Sequence, residues 1–301
     1  MNWRPRERAL QVHRFVLADG EGRKPFRMAT PFAHSTPALY DRYMGPLLFE
    51  PYAELVAERC ALLQPDSILE TAAGTGIVTR AVHRAAPRAQ IVATDVNPAM
   101  LEFAAHGMRS DRVSFQPADA QHLPFAEGSF DLVLCQFGVM FFPDKIRANQ
   151  EARRVLRPSG HYLLVTFNWL ELNSIPKAAE DAVNTLFANH PVDYMERVPF
   201  CYTDPEQIKH DLLAAGFRGV EIETIERSSR VNARDAAQGL VFGSPFRSEI
   251  ERRDPLALQR AAGVIAQALE SWDGRYAPMS AHIVTARSFR RNMNMSGRGC
   301  R

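Results

Sequence analysis

The sequence predicts an α/β protein built on a doubly wound, mostly parallel sheet, and three observations carry that prediction. Short buried-strand patterns alternate with helical patterns from residue 66 to residue 168. The segments between strands are long enough to be crossover helices, as parallel pairing requires. After Asn168 the rhythm changes, and helical stretches separate the remaining strands.

Each element has its own signal. "PALYDRYMGPLLFEPYAELVAERCALL" (37–63) repeats apolar residues at three and four spacing, with a break expected near Gly45-Pro46. "DSILET" (66–71) reads as a short buried strand and "GIVTRAVHRAAP" (76–87) as a helix closed by Pro87. "AQIVATDV" (89–96) is a strand, and "NPAMLEFAAHGM" (97–108) a helix with Asn97 as N-cap and Pro98 in its first turn. "RVSFQPAD" (112–119) and "FDLVLCQFG" (130–138) are strands, "PDKIRANQEARRVLRP" (143–158) a long helix, and "GHYLLVTFN" (160–168) a fifth strand.

Beyond it, 173–190 and 203–216 read as helices, the second with Thr203 and Glu206 as a capping box and Gly216 as its left-handed stop. "VEIETIER" (220–227) alternates as a strand, 232–242 and 254–272 are helical, and "MSAHIVTARSF" (279–289) is the last strand. Helices inserted between late strands are expected to form a lid or substrate pocket.

The bulk numbers suit one soluble globular domain over 29–289. The chain has 301 residues, 46% hydrophobic and 23% charged. The most apolar run, "FDLVLCQFGVMFF", is interrupted by Asp131 and Gln136, so no membrane span is expected. The first twenty residues lack the apolar core of a signal peptide, and a cytoplasmic protein is expected. Cys60, Cys135, Cys201 and Cys300 are far apart, and neither they nor the nine histidines have metal-ligand spacing, so no metal is expected.

The net charge of +2 hides an asymmetry: residues 1–28 hold +4, residues 286–301 hold +5, and the body between them −7. Segments 1–28 and 290–301 therefore read as basic, flexible ends. They could touch RNA or an anionic surface, but the acidic body argues against a large nucleic-acid footprint.

The chemistry concentrates in "ILETAAGTGIVTR" (68–80), where Glu70 ends a strand and Gly74 and Gly76 form the turn into a helix. Glycines let a ligand approach the backbone, and the free N–H groups of the helix favour an anionic group. Glu70 could face a cation, so a ligand with an ammonium and a carboxylate fits. Asp95 ends the next strand, where an acid takes ribose hydroxyls. A dinucleotide and S-adenosylmethionine both remain. The dinucleotide fingerprint is defective, because Thr79 stands at its third small position and Glu70 would meet a pyrophosphate.

The ordered series resembles the class I S-adenosylmethionine-dependent methyltransferases, in particular the ubiquinone/menaquinone C-methyltransferase-like group. "ILETAAGTG" is similar to the cofactor loop, "ATDVNPAML" to the ribose segment and "ADAQHLPF" (118–125) to the adenine segment. "FDLVLCQFGVMFFPD", "EARRVLRPSGHYLLV" and "DLLAAGF" continue the series. The resemblance covers 66–168 closely and 203–289 more loosely. It departs at Glu70, where many members have Asp, and at Ala72-Ala73, where Gly-Cys is common.

That resemblance implies a Rossmann-like sheet of about seven strands with an antiparallel last strand. The cofactor core would be 66–168, with lid or substrate helices at 37–60, 170–200 and 230–272. It implies that Glu70, Ala72, Gly74 and Gly76 hold the methionine end, Asp95 the ribose, Asp119 and Ala120 the adenine, with Met100 over its ring and Gln136 on the sulfonium side.

Methyl transfer from a sulfonium mainly needs alignment. No spacing names a catalytic base; His122, His161 and His282 are candidates. Tyr40, Tyr43, Phe137, Phe141, Asn168 and Trp169 are candidate acceptor contacts. Apolar stretches such as "GPLLFEPY" and "GLVFGSPF" suit a small, partly hydrophobic acceptor. An RNA methyltransferase using the basic tails and a non-catalytic S-adenosylmethionine-binding protein are the rival readings.

Overall fold

The computed structural model describes residues 36–288; the basic ends 1–28 and 290–301 lie outside the described residues. Seven strands form one sheet: β1 (Ser67–Thr71), β2 (Gln90–Asp95), β3 (Val113–Pro117), β4 (Phe130–Gln136), β5 (Leu156–Phe167), β6 (Arg218–Arg230) and β7 (Tyr276–Arg287). Their order is β3-β2-β1-β4-β5-β7-β6. The first five are parallel, and β7 runs antiparallel to both β5 and β6. All five residues of β1 are buried, as expected of a strand covered on both faces. Strand order reverses between β1 and β4, and such a switch point opens a crevice at the carboxyl ends of the strands.

The structure corrects several local expectations. Gly45-Pro46 does not break the first helix. The chain winds from Pro37–Leu39 into a π-helical stretch, Tyr40–Phe49, and then into the α-helix Glu50–Leu63. The Glu50 amide reaches back to the Gly45 carbonyl, the long step of a π-helix. Met44, Leu47, Leu48 and Phe49 are buried, so tertiary packing outweighs the proline. The helix expected to reach 158 is Lys145–Val155, because Leu156 already pairs with Phe130 at the start of β5.

The capping box at Thr203 and Glu206 does not form. Asp204 is the N-cap, accepting from the Glu206 amide at 2.9 Å, while the Thr203 carbonyl faces the buried His282 ring at 3.0 Å. A helix that the sequence patterns did not mark, Phe246–Arg253, follows Ser244-Pro245. The Ser244 hydroxyl accepts from the Phe246 amide at 3.2 Å, opening Phe246–Arg253. The stretch 254–272 is therefore only the helix Leu258–Ala268 and a short 3-10 turn, Glu270–Trp272.

The Ala233–Phe242 helix packs closely on the π-helical stretch at Gly239. A Cβ there would lie 2.8 Å from the Tyr43 Cβ, so only glycine lets the two elements meet. Among the described residues no helix is long and apolar enough to cross a membrane.

Candidate functional site

A cleft of about 1060 Å³, counted with its open mouth, lies at the carboxyl ends of β1, β2 and β4. Of the expected cofactor residues, Glu70, Ala72, Gly74, Asp95, Met100, Asp119, Ala120 and Gln136 line it. Gly76 does not. Its φ is +79°, and a Cβ would sit 3.0 Å from the Ala104 Cβ, so this glycine lets the Ile77–Ala85 and Pro98–Gly107 helices approach.

The loop after β1 is held in an unusual backbone path. Ala72, Gly74 and Gly76 all have positive φ, and so does Phe137 at the exit of β4. A non-glycine residue in that region costs about 1 kcal/mol or more and persists where its surroundings enforce it. Asp95 does much of the enforcing. One carboxylate oxygen accepts from the Gly74 amide and the other from the Asn97 amide, each at 2.8 Å. Burial raises the Asp95 pKa, and these amide bonds pull it back.

Glu70 is fully buried, and its carboxyl accepts from the Thr79 hydroxyl at 2.6 Å. Burial pushes its pKa up to about 8, against the counteracting Thr79 bond. The folded protein therefore binds a proton at Glu70 that the unfolded chain has already released. Its contribution to stability is full below pH 4.5, the ordinary glutamate value, and is lost as pH rises through about 8. Glu180, pushed to about 7 mainly by burial, adds to the same slope. Glu70→Gln is expected to flatten the decline between pH 5 and 8, leaving the Glu180 part, as read from urea unfolding across that range. An unchanged slope would mean that Glu70 is ionised in the folded state without ligand.

Asp119 accepts from the Gln121 amide at 2.8 Å and from the Gln121 side chain at 3.2 Å, which fixes its carboxylate at the third acidic position of the cleft. Two buried polar atoms of cleft residues, the Thr75 hydroxyl and the Gln136 Oε1, have no hydrogen-bond partner in the protein. Buried polar atoms are rarely left so, and a ligand in the cleft could satisfy both.

A second cavity of about 500 Å³ adjoins the first and shares four walls with it: Tyr40, Phe49, Phe137 and Phe141. Its far side includes Phe167, Phe200 and Tyr194. Phe137 stacks on Phe167 at 4.0 Å and Phe167 on Phe200 at 4.7 Å. Among the described residues its wall contains no carboxylate, amine, guanidinium or imidazole. The side-chain polar atoms there are the hydroxyls of Tyr40, Tyr194 and Ser244. Burial raises both tyrosines far above their usual range, so they stay neutral.

Three acceptor candidates, Tyr40, Phe137 and Phe141, line both cavities, and Tyr43, Asn168 and Trp169 line neither. Tyr43 lies against the Ala233–Phe242 helix under the Arg42 guanidinium. Asn168 is buried in a polar knot, donating to Ser280 Oγ and accepting from the Trp169 amide. Trp169 is 54% exposed, in a separate surface groove with Glu171 and Asp204. None of His122, His161 and His282 lines either cavity. His161 faces a groove at the opposite end of the sheet, and His282 is buried between Thr224 and Thr203.

Sequence reasoning missed Thr75, Val96, Gln121, Phe49 and Tyr194 as cavity residues. Gln121 could have been found, since it stands two residues after Asp119 in an Asx turn. Tyr194 has no local signal. Among the described residues no group of three or more His, Cys, Asp or Glu is placed to hold a metal ion.

Comparison with known proteins adds a second line of evidence. A family model described as a methyltransferase domain matches residues 69–164. The chain is 30% identical over 173 residues to a demethylmenaquinone methyltransferase of Deinococcus radiodurans, covering 51% of this chain and 68% of that one. It is 27% identical over 207 residues to a ubiquinone/menaquinone biosynthesis C-methyltransferase of Haemophilus ducreyi, covering 62% and 79%. In fold it is similar to Haemonchus contortus phosphoethanolamine N-methyltransferase 2, solved with phosphomonomethylethanolamine and S-adenosylhomocysteine. That likeness has a TM-score of 0.54 at 16% identity and covers 84% of this chain and 57% of that one.

Proposed function

We propose, for a chain that belongs to the class I S-adenosylmethionine-dependent methyltransferases of the ubiquinone/menaquinone C-methyltransferase-like group, that the methyl acceptor is a small, partly hydrophobic molecule with a quinone-like ring. The protein is an S-adenosylmethionine-dependent methyltransferase. The observation that carries the acceptor reading is the apolar cavity sharing its aromatic wall with the cleft.

The cleft residues fit the cofactor. Glu70 would take the methionine ammonium, Asp95 the ribose hydroxyls and Asp119 the adenine amine, with Met100 against the ring. The Thr75 hydroxyl and Gln136 Oε1 supply unused hydrogen-bonding capacity. When bound, S-adenosylmethionine supplies an activated methyl group on a sulfonium.

The chain's own contribution is orientation and exclusion of water. Tyr40, Phe49, Phe137 and Phe141 would hold the acceptor ring against the cleft, and the helices of 170–200 and 230–272 would act as its lid. The Tyr40 and Tyr194 hydroxyls would orient ring oxygens. Among the described residues the wall of the apolar cavity holds no ready general base, and the acceptor would enter as its own nucleophile.

Incubating the protein with methyl-labelled S-adenosylmethionine, a panel of hydroquinones and total RNA tests this. Label is expected in the solvent-extractable ring fraction. Label in RNA instead would overturn the acceptor reading. Calorimetry should give S-adenosylmethionine a Kd near micromolar, about −8 kcal/mol. Binding of NADH in its place would overturn the cofactor assignment.

A further inference from the structure

Helix Ile77–Ala85 carries a cation, Arg80, that bonds both the cleft loop and the helical stretch that forms the shared wall. Arg80 donates from one guanidinium nitrogen to the Thr75 carbonyl at 2.8 Å and from the other to the Asp41 carboxylate at 2.7 Å. Thr75 belongs to the positive-φ loop of the cleft, between Gly74 and Gly76. Asp41 belongs to the π-helical stretch and follows Tyr40, which lines both cavities. Both side chains of the pair are about three-quarters shielded from solvent, at 28% and 24% exposure. The rigid fork of a guanidinium can hold two acceptors in fixed geometry.

The Tyr40–Phe49 stretch supplies two of the four shared walls, and the rings of Tyr40 and Phe49 stack at 5.1 Å. Its rotation about its own axis decides whether those rings face the acceptor cavity. π-Helical winding lacks the usual hydrogen-bond register, and Pro46 removes a further donor. Asp41 is thus a point at which the rotation can be fixed from outside the helix.

We propose that Asp41 and Arg80 are positioning residues that couple the cofactor loop to the wall of the acceptor pocket. The proposal rests on the reading of the cleft as the cofactor site. A ligand that orders the loop fixes the Thr75 carbonyl, and Arg80 transmits that order to Asp41. The Tyr40–Phe49 wall is then set before the acceptor arrives. By linkage, the acceptor and cofactor favour each other's binding.

Hydrogen exchange read by mass spectrometry, with S-adenosylhomocysteine as the probe, tests this without knowledge of the acceptor. In the unaltered chain the probe is expected to slow exchange in 72–76 and also in 40–49. The second effect should be about fivefold or more, the lower end of site-to-site coupling. In Asp41→Ala and in Arg80→Gln, protection of 72–76 should persist and the ligand-dependent protection of 40–49 should be lost. The two variants break the bridge at different points, so if one fails to fold the other still decides. Equal protection of 40–49 in a folded variant, or none there in the unaltered chain while 72–76 is protected, would overturn the coupling. Protection of neither segment would overturn the cofactor reading itself.

Discussion

Replacing Asp95 by alanine is expected to weaken S-adenosylhomocysteine binding by about 10- to 150-fold, the equivalent of losing about 1.5–3 kcal/mol of charge-assisted hydrogen bonding. The carboxylate also holds the Gly74 and Asn97 amides, so the variant loosens the loop as well as removing the proposed ribose contact. Asp95→Asn is the milder variant, because its amide can still accept from one of the two backbone N–H groups. It keeps one acceptor oxygen for the loop and loses the charge. Calorimetry and melting temperature for both variants give the comparison. If Asp95→Ala binds with unchanged affinity, Asp95 does not touch the ribose.

The second large effect is expected at Gly138. Its φ of −107° suits any residue, so the obstacle to a side chain is space alone. A Cβ there would lie 2.5 Å from the Ala72 Cβ and 3.0 Å from the Cys135 sulfur. Ala72 sits at φ +54°, in the loop that lines the cleft. Gly138→Ala should therefore destabilise the fold by about 1–3 kcal/mol, the usual range for overpacking. It should also lower cofactor affinity, because the loop is the part that must yield. Ala72→Gly removes the opposing methyl and suits a positive φ. Added to Gly138→Ala, it should restore part of the stability, with the Cys135 contact accounting for the rest. Denaturant unfolding of the single and double variants measures this, and full additivity would mean that the two positions do not meet.

The lining of the cleft was legible in the sequence because it comes from strand ends and the turns that follow them. Glu70, Asp95 and Asp119 each close a local strand pattern, and the sheet brings them to one edge. Gly76 is not in the cleft lining, and a glycine in that turn serves helix packing as readily as ligand approach. The acceptor side was harder. Its wall draws on residues from 40 to 245, and nothing local joins Tyr40 to Tyr194.

Tyr43, three residues after Tyr40, would share its face on an ordinary α-helix. The wider π winding instead brings Tyr40, Met44, Leu48 and Phe49 into line on the cavity. Asn168 and Trp169 follow the carboxyl end of β5, a good place for ligand contacts. The hydrogen bond from Asn168 to Ser280 turns that residue to the sheet's other half.

The antiparallel placement of β7 has a consequence for how the molecule is made. β1 to β4 pair across connections contained within residues 67–136, whereas β5 finds its second neighbour only at residues 281–287. Loop closure over that distance is slow compared with local pairing. On the ribosome, the strands that build the cleft emerge well before the strand that covers the edge of β5. During that interval a long apolar edge, His161–Phe167, has no partner on one side. Such an edge is a template for pairing with another chain. The delay falls on the half of the sheet next to the acceptor cavity, so premature association of nascent chains would spare the cleft and damage the pocket.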